Sequence, residues 1–180
     1  DLHSFPTRRS SDLHIETAMS VRVPMDPRKF GDVFGAMVGL NKVIASAGLD
    51  QKLLSLVEVR VSQINGCGFC LDMHTKDARL NGETEQRLYL LNAWREAPMY
   101  SERERAALTW AEAVTKLQDG EVPDEVYAQA RQHFDEQQLM KLTLQVVAIN
   151  GWNRFCISFN AVPGTYKAGS LSEAGVAQTA

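Results

Sequence analysis

Residues 50–74 read DQKLLSLVEVRVSQINGCGFCLDMH, and the first half of that stretch decides the fold. Leu53, Leu54, Val57, Val61 and Ile64 recur at steps of three and four, so at about 100° per residue they share one side of a helix. Asp50 stands where a side-chain cap would open that helix, and Asn65-Gly66 would close it. A further helix begins close to Cys67 and runs to about Asn81-Gly82.

The same period extends in both directions. Residues 28–47 carry Phe30, Phe34, Met37, Val38, Val43 and Ile44, stopped by Gly48. A helix over 83–95 ends before Pro98. Ser101 and Glu104 make a capping-box pattern ahead of Ala107, Trp110, Ala111, Val114 and Leu117. Pro123 opens a helix bearing Val126, Ala130 and Phe134, and Asp135 with Gln138 caps a long final one through Leu139, Leu142, Val146, Ile149, Trp152 and Phe155. No segment alternates strictly with period two between turns, so the fold class is all-α. One internal echo stands out: INGCGFC at 64–70 against INGWNRFC at 149–156.

The chain has 180 residues, enough for one domain with a proper core. Hydrophobic residues make up 44% and charged residues 23%, a globular balance, and the net charge of −3 argues against a nucleic-acid surface. No apolar run approaches the roughly 20 residues that span a bilayer. Three cysteines, two of them clustered, do not form a secreted disulfide framework; such a pair in a cytoplasmic chain is catalytic or metal-binding. Asp1 to Leu13, DLHSFPTRRSSDL, back-translates in one frame into a sequence resembling the end of a widely used short-read sequencing adapter, and is read as an assembly artefact. Residues 14–25 are then a leader, with Met19 and Met25 as candidate starts, 26–166 the helical domain, and 167–180 a disordered tail of small polar residues. Deleting Asp1–Leu13 is expected to leave melting temperature and activity unchanged; a fall of several degrees, the size of about 1 kcal/mol in a domain like this, would show that the arm packs.

Cys67, Cys70 and His74 carry the chemistry. On a helix Cys70 lies about 60° and His74 about 20° from Cys67, so all three share a face, and Cys70 and His74 are one turn apart. The two-residue spacer lets the cysteines close to a disulfide. A helix N-terminus favours an anion, and His74 can take a thiol proton, so a lowered pKa is expected, most strongly at Cys70. Other readings stay open. A structural zinc site needs four ligands, and His133 or Asp72 would have to complete Cys67, Cys70 and His74. A thioredoxin-like motif needs a βαβ setting. A third reading is two small buried residues beside a satisfied histidine.

EVRVSQINGCGFCLDMHTKDARLNGETEQRLYLLNAW (58–94), YSERERAALTWAEAVTKL (100–117) and VVAINGWNRFCISFNAVPGTY (146–166) together resemble the alkylhydroperoxidase D-like branch of the carboxymuconolactone decarboxylase superfamily. The resemblance implies a single-domain bundle of about six to eight helices, assembled as a homo-oligomer, trimer or hexamer. It implies a peroxidase that reduces hydroperoxides through the cysteine pair, without metal, haem or flavin. By position Cys70 resembles the cysteine that attacks peroxide, Cys67 the resolving partner and proton donor, and His74 the relay base. The family's polarising glutamate lies one turn earlier, where this chain has Ser55; here the acid is Glu58, on roughly the same helix face, and it is read either as the relay carboxylate or as a surface charge or ion pair. Decarboxylation of a lactone is not expected, because the decarboxylases lack the pair. The expected partners are a hydroperoxide and a dithiol or disulfide-reductase electron donor, with no nucleic acid and no membrane, in the cytoplasm. A Cys67→Ser variant is expected to stop as a sulfenic acid at Cys70. The alternatives are a thiol-disulfide oxidoreductase using the same cysteines, or a non-enzymatic redox-sensing or interaction subunit.

Elsewhere the residues receive plainer readings. Cys156, Trp110, Trp152 and Trp94 fit core positions, and Asn153 and Arg154 a subunit interface or the mouth of the site. Asp72 and Lys76 form a solvated pair, and His133 is a helix-end charge. Leu88, Leu90, Leu91 and Trp94, spread around one helix, suggest a subunit interface.

Overall fold

A computed structural model describes residues 20–46 and 48–170. The adapter-like arm, the first part of the leader and the last ten residues of the tail lie outside the described residues. Within them the chain forms seven α-helices and no strand: α1 Gly31–Ala45, α2 Gln51–Asn65, α3 Gly68–Leu80, α4 Glu85–Leu90, α5 Glu102–Lys116, α6 Asp124–His133 and α7 Glu136–Ser158. Single 3-10 turns follow α4 (Leu91–Ala93) and α5 (Gln118–Gly120). The all-α expectation holds. No helix among the described residues is long and apolar enough to cross a membrane.

Local chemistry sets the boundaries. Asp50 accepts from the Lys52 N–H to open α2, and Gly66 closes it in the left-handed region at φ 69°, where a side chain would be strained. Both capping boxes form, Ser101 with Glu104 on α5 and Asp135 with Gln138 on α7.

α2 is the central element and packs against α3, α5 and α7. Leu54, Val57 and Val61 face one core, with Ala107, Trp110, Leu142, Val146 and Ile149. Leu56 and Val59 point into a second, with Leu91, Trp94 and Leu108. A helix buried on both sides must be apolar on both, which is why the stripe read from the sequence is only part of its buried surface.

The helix expected over 83–95 is broken. α4 ends at Leu90, and the 3-10 turn that follows carries Leu91 inward, so Leu88, Leu91 and Trp94 are all buried within the chain. Their apolarity is satisfied without a subunit contact. Beneath this turn Glu112 of α5 is a buried ionic hub. Arg60 Nε and Trp94 Nε1 each donate to its Oε1 at 2.8 Å, and Arg95 lies 2.9 Å from its Oε2. Arg60 donates further to Asn92 and Gln63. Burial alone would raise the Glu112 pKa, but the bonds from Trp94, Arg60 and Arg95 hold it down at about 2.

The segment after α7 turns back along α3. Gly164 N–H donates to Asp72, Lys76 Nζ donates to the Tyr166 carbonyl at 3.0 Å, and Asp77 accepts from both the Tyr166 hydroxyl and the Gly169 N–H. Asp72 and Lys76 therefore fasten this strap, where the sequence suggested only a solvated pair. Ordered contacts reach residue 169, past the expected domain end at 166.

Candidate active site

The site lies where α2 hands over to α3. After the left-handed Gly66, the Cys67 N–H donates back to the Ser62 carbonyl at 3.1 Å. Cys67 is then extended (φ −81°, ψ 97°) and serves as N-cap of α3, its Sγ accepting from the Cys70 N–H at 3.4 Å. The sequence reading put Cys67 inside the helix; its sulfur instead takes the place of a capping oxygen. Cys67 Sγ and Cys70 Sγ are 2.6 Å apart.

A third sulfur completes the group. Cys156, from α7, offers its Sγ so that all three sulfur atoms lie within 4.8 Å of one another, all buried. The sequence reading left Cys156 as a small core residue. The signal that could have found it is the internal echo, in which Phe155-Cys156 repeats Phe69-Cys70. The echo also pairs in space: Asn65 Nδ2 donates to Asn150 and Asn153, and Asn153 donates to Ser62. Neither His133 nor Asp72, offered above as fourth zinc ligands, belongs to the sulfur cluster.

Among the three thiols the anion is favoured at Cys67. Hydrogen bonding of its sulfur with Cys156 and Cys70, and the Cys70 N–H, outweigh burial and hold its pKa well below the usual thiol range. Cys70 is pushed up by Cys156, Cys67 and burial, and Cys156 is pushed up to about 12, chiefly by its bond to Cys67. This corrects the expectation of a thiolate at Cys70. That expectation rested on contact with His74, whose partner is Glu58: its Nδ1 lies 3.2 Å from Glu58 Oε2, and its buried Nε2 has no hydrogen-bond partner among the described residues. Burial opposes the imidazolium, but the charge and hydrogen bond of Glu58 prevail and raise the His74 pKa. Glu58 is held from its other side by Gln145 Nε2 at 3.0 Å.

Glu58, His74, Cys70 and Cys156 open onto one cavity of about 380 Å³. Phe34, Leu54, Phe69, Met73 and Trp152 give it an apolar wall, so Trp152 borders the cavity. Cys67 is not on that wall; it lies behind Cys70. The sulfur that favours the anion and the sulfur whose residue lines the cavity are therefore different atoms in direct contact.

Replacing Glu58 with glutamine should lower the His74 pKa, because the carboxylate that most favours the imidazolium is gone and burial is then opposed only by the charges of Asp77 and Cys67. An NMR titration of His74 reads the shift. An unchanged titration would show that Glu58 does not control the ring.

The model of the carboxymuconolactone decarboxylase family matches residues 31–113. YdfG of Bacillus subtilis is 46% identical over 122 residues, 68% of this chain and 83% of the relative. A crystal structure from Agrobacterium tumefaciens, of a protein of unknown function for which antioxidant defence of the AhpD kind has been suggested, superposes with a TM-score of 0.76 at 37% identity, covering 82% of this chain and 100% of that one. The debrominase Bmp8 shares the fold, with a TM-score of 0.64 at 17% identity over 77% of this chain and 74% of its own.

Proposed function

The chain belongs to the carboxymuconolactone decarboxylase superfamily, in its alkylhydroperoxidase D-like branch, and on that premise we propose that it is a thiol peroxidase reducing hydroperoxides through Cys70 and Cys67. One observation carries the reading: Cys70 and His74 line the same cavity, with the Cys67 sulfur 2.6 Å from that of Cys70.

The division between the sulfur that favours the anion and the one beside the cavity suggests the proton route. As the Cys70 sulfur attacks the outer oxygen of a hydroperoxide, its proton passes to the Cys67 thiolate. The O–O bond breaks, and the leaving alkoxide takes a proton from the His74 imidazolium, the form that Glu58 favours. The products are an alcohol and a sulfenic acid at Cys70. Cys67, now a thiol, condenses with it to a disulfide and releases water. A dithiol or a disulfide reductase returns two electrons by exchange. Such a cycle needs a reducing compartment, the cytoplasm. Met140 and Val147 of α7, exposed apolar side chains, support a homo-oligomeric working form, trimer or hexamer; sedimentation as a monomer at micromolar concentration would rule that out.

Stopped-flow mixing of reduced protein with an organic hydroperoxide tests the activity. The expected result is a second-order loss of peroxide with stoichiometric sulfenate, then disulfide. Exchange with small disulfides but silence toward peroxide would replace the reading with a thiol-disulfide oxidoreductase.

A further inference from the structure

We propose that Cys156 is a second disulfide partner of Cys70, so that the sulfenic acid formed at Cys70 is resolved by Cys156 as well as by Cys67; its resolving role rests on the peroxidase reading above. The cysteine pair of α3 accounts for a complete catalytic cycle and leaves Cys156 without a task. Its position is not that of a passive core residue. It comes from α7, a different helix, and its sulfur is within 4.8 Å of both others. It opens onto the same cavity as Cys70, which Cys67 does not. A sulfenic oxygen left on Cys70 by a peroxide in that cavity thus forms on the side from which Cys156 can approach. Met25, Phe69 and Ala161 pack against the cluster and give it an apolar surrounding.

The chemistry closes on itself. The Cys156 sulfur attacks the electrophilic sulfur of Cys70–S–OH, the S–O bond breaks, and hydroxide leaves with the thiol proton as water. Cys70–S–S–Cys156 remains. The Cys67 thiol then attacks this bond at Cys70, giving Cys67–S–S–Cys70, and its proton passes to the departing Cys156 sulfur. No electron is lost between the two disulfides, so either can be handed to the reductant. A second resolving thiol also shortens the life of the sulfenic acid and so limits its irreversible oxidation to sulfinic acid.

The same three sulfurs could be read as a soft-metal site. The spacing argues otherwise. Two thiolates on one tetrahedral zinc, with bonds of about 2.3 Å, sit about 3.8 Å apart, whereas Cys67 and Cys70 are 2.6 Å apart.

The test uses the Cys67→Ser variant, in which serine keeps an N-cap oxygen for α3; Cys67→Ala serves as a second background. Reduced protein is treated with one equivalent of cumene hydroperoxide and its disulfides are mapped by mass spectrometry. The sequence alone predicts a halt at the sulfenic acid; with Cys156 in reach, the major product should be a Cys70–Cys156 disulfide. The Cys67→Ser/Cys156→Ser double variant should instead stop as a sulfenic acid trapped by dimedone, at least tenfold more abundant than in the single variant. Equal sulfenic acid in both would overturn the proposal. A parallel treatment with diamide oxidises thiol pairs without peroxide. A Cys70–Cys156 disulfide with diamide, together with no reaction of the wild-type protein with peroxide, would sustain the pairing and refute the peroxidase reading. No Cys70–Cys156 disulfide with diamide in either background would overturn the pairing itself.

Discussion

A Cys70→Ser protein should consume hydroperoxide no faster than a background lacking all three cysteines. Cys70 is the member of the α3 pair that borders the cavity, and its sulfur must accept an oxygen atom, which a serine hydroxyl does not do. Removing a nucleophile that acts as a unit with its base typically lowers turnover by several orders of magnitude. The Cys67 thiolate survives in this variant, with Cys156 still bonded to it, so an anion is present but shielded from the cavity. Stopped-flow peroxide consumption and dimedone trapping decide the matter. A sulfenate at Cys67 formed at the wild-type rate would show that peroxide reaches behind Cys70 and that the two roles are exchanged.

The Glu112→Leu substitution should destabilise the fold by about 3 kcal/mol at neutral pH, the low end for breaking a buried ion pair. It would leave the Arg60 guanidinium buried beside only the neutral acceptors Asn92 and Gln63. In a chain of this size that corresponds to a fall in Tm of roughly 6–12 °C. The effect has a pH signature. Glu112 has a folded pKa of about 2 against an ordinary value of 4.5. Its stabilisation, on the order of 3 kcal/mol, is therefore complete above about pH 4.5 and is lost as pH falls through about 2. Denaturant melts of both proteins at pH 7, 4 and 3 should show the gap between them narrowing in acid. A gap independent of pH would mean the loss comes from packing and not from charge.

Much of this was legible in the sequence because it is local. Asp50, Gly66, Ser101 with Glu104, and Asp135 with Gln138 each act within four residues, and each sits where the pattern put it. The break after Leu90 was not legible, since Leu88, Leu91 and Trp94 also fit a continuous helix; what overrides the pattern is the second core, reached only by turning Leu91 inward. At the site, Cys67, Cys70, His74 and Glu58 were identified from spacing and resemblance, and Glu58 does meet His74. Their contacts were not foreseen. Helical angles bring Cys70 toward His74, but Cys67 is a cap with extended backbone, and the pull of Glu58 decides where the imidazole faces. Cys156 stands 86 residues beyond Cys70, and only packing of α7 against α2 and α3 joins them. The echo that aligns the two cysteines was visible, but nothing local says that its copies touch.

The burial of α2 on two opposite faces has a consequence for how the chain comes apart. Neither core can open while the other stays shut, since each loses a wall when α2 leaves. The bundle therefore behaves as one cooperative unit, and the amide protons of α2 are released to deuterium only when the whole molecule unfolds. The thiol centre hangs from the end of that same helix, so it is anchored to the last part of the protein to yield.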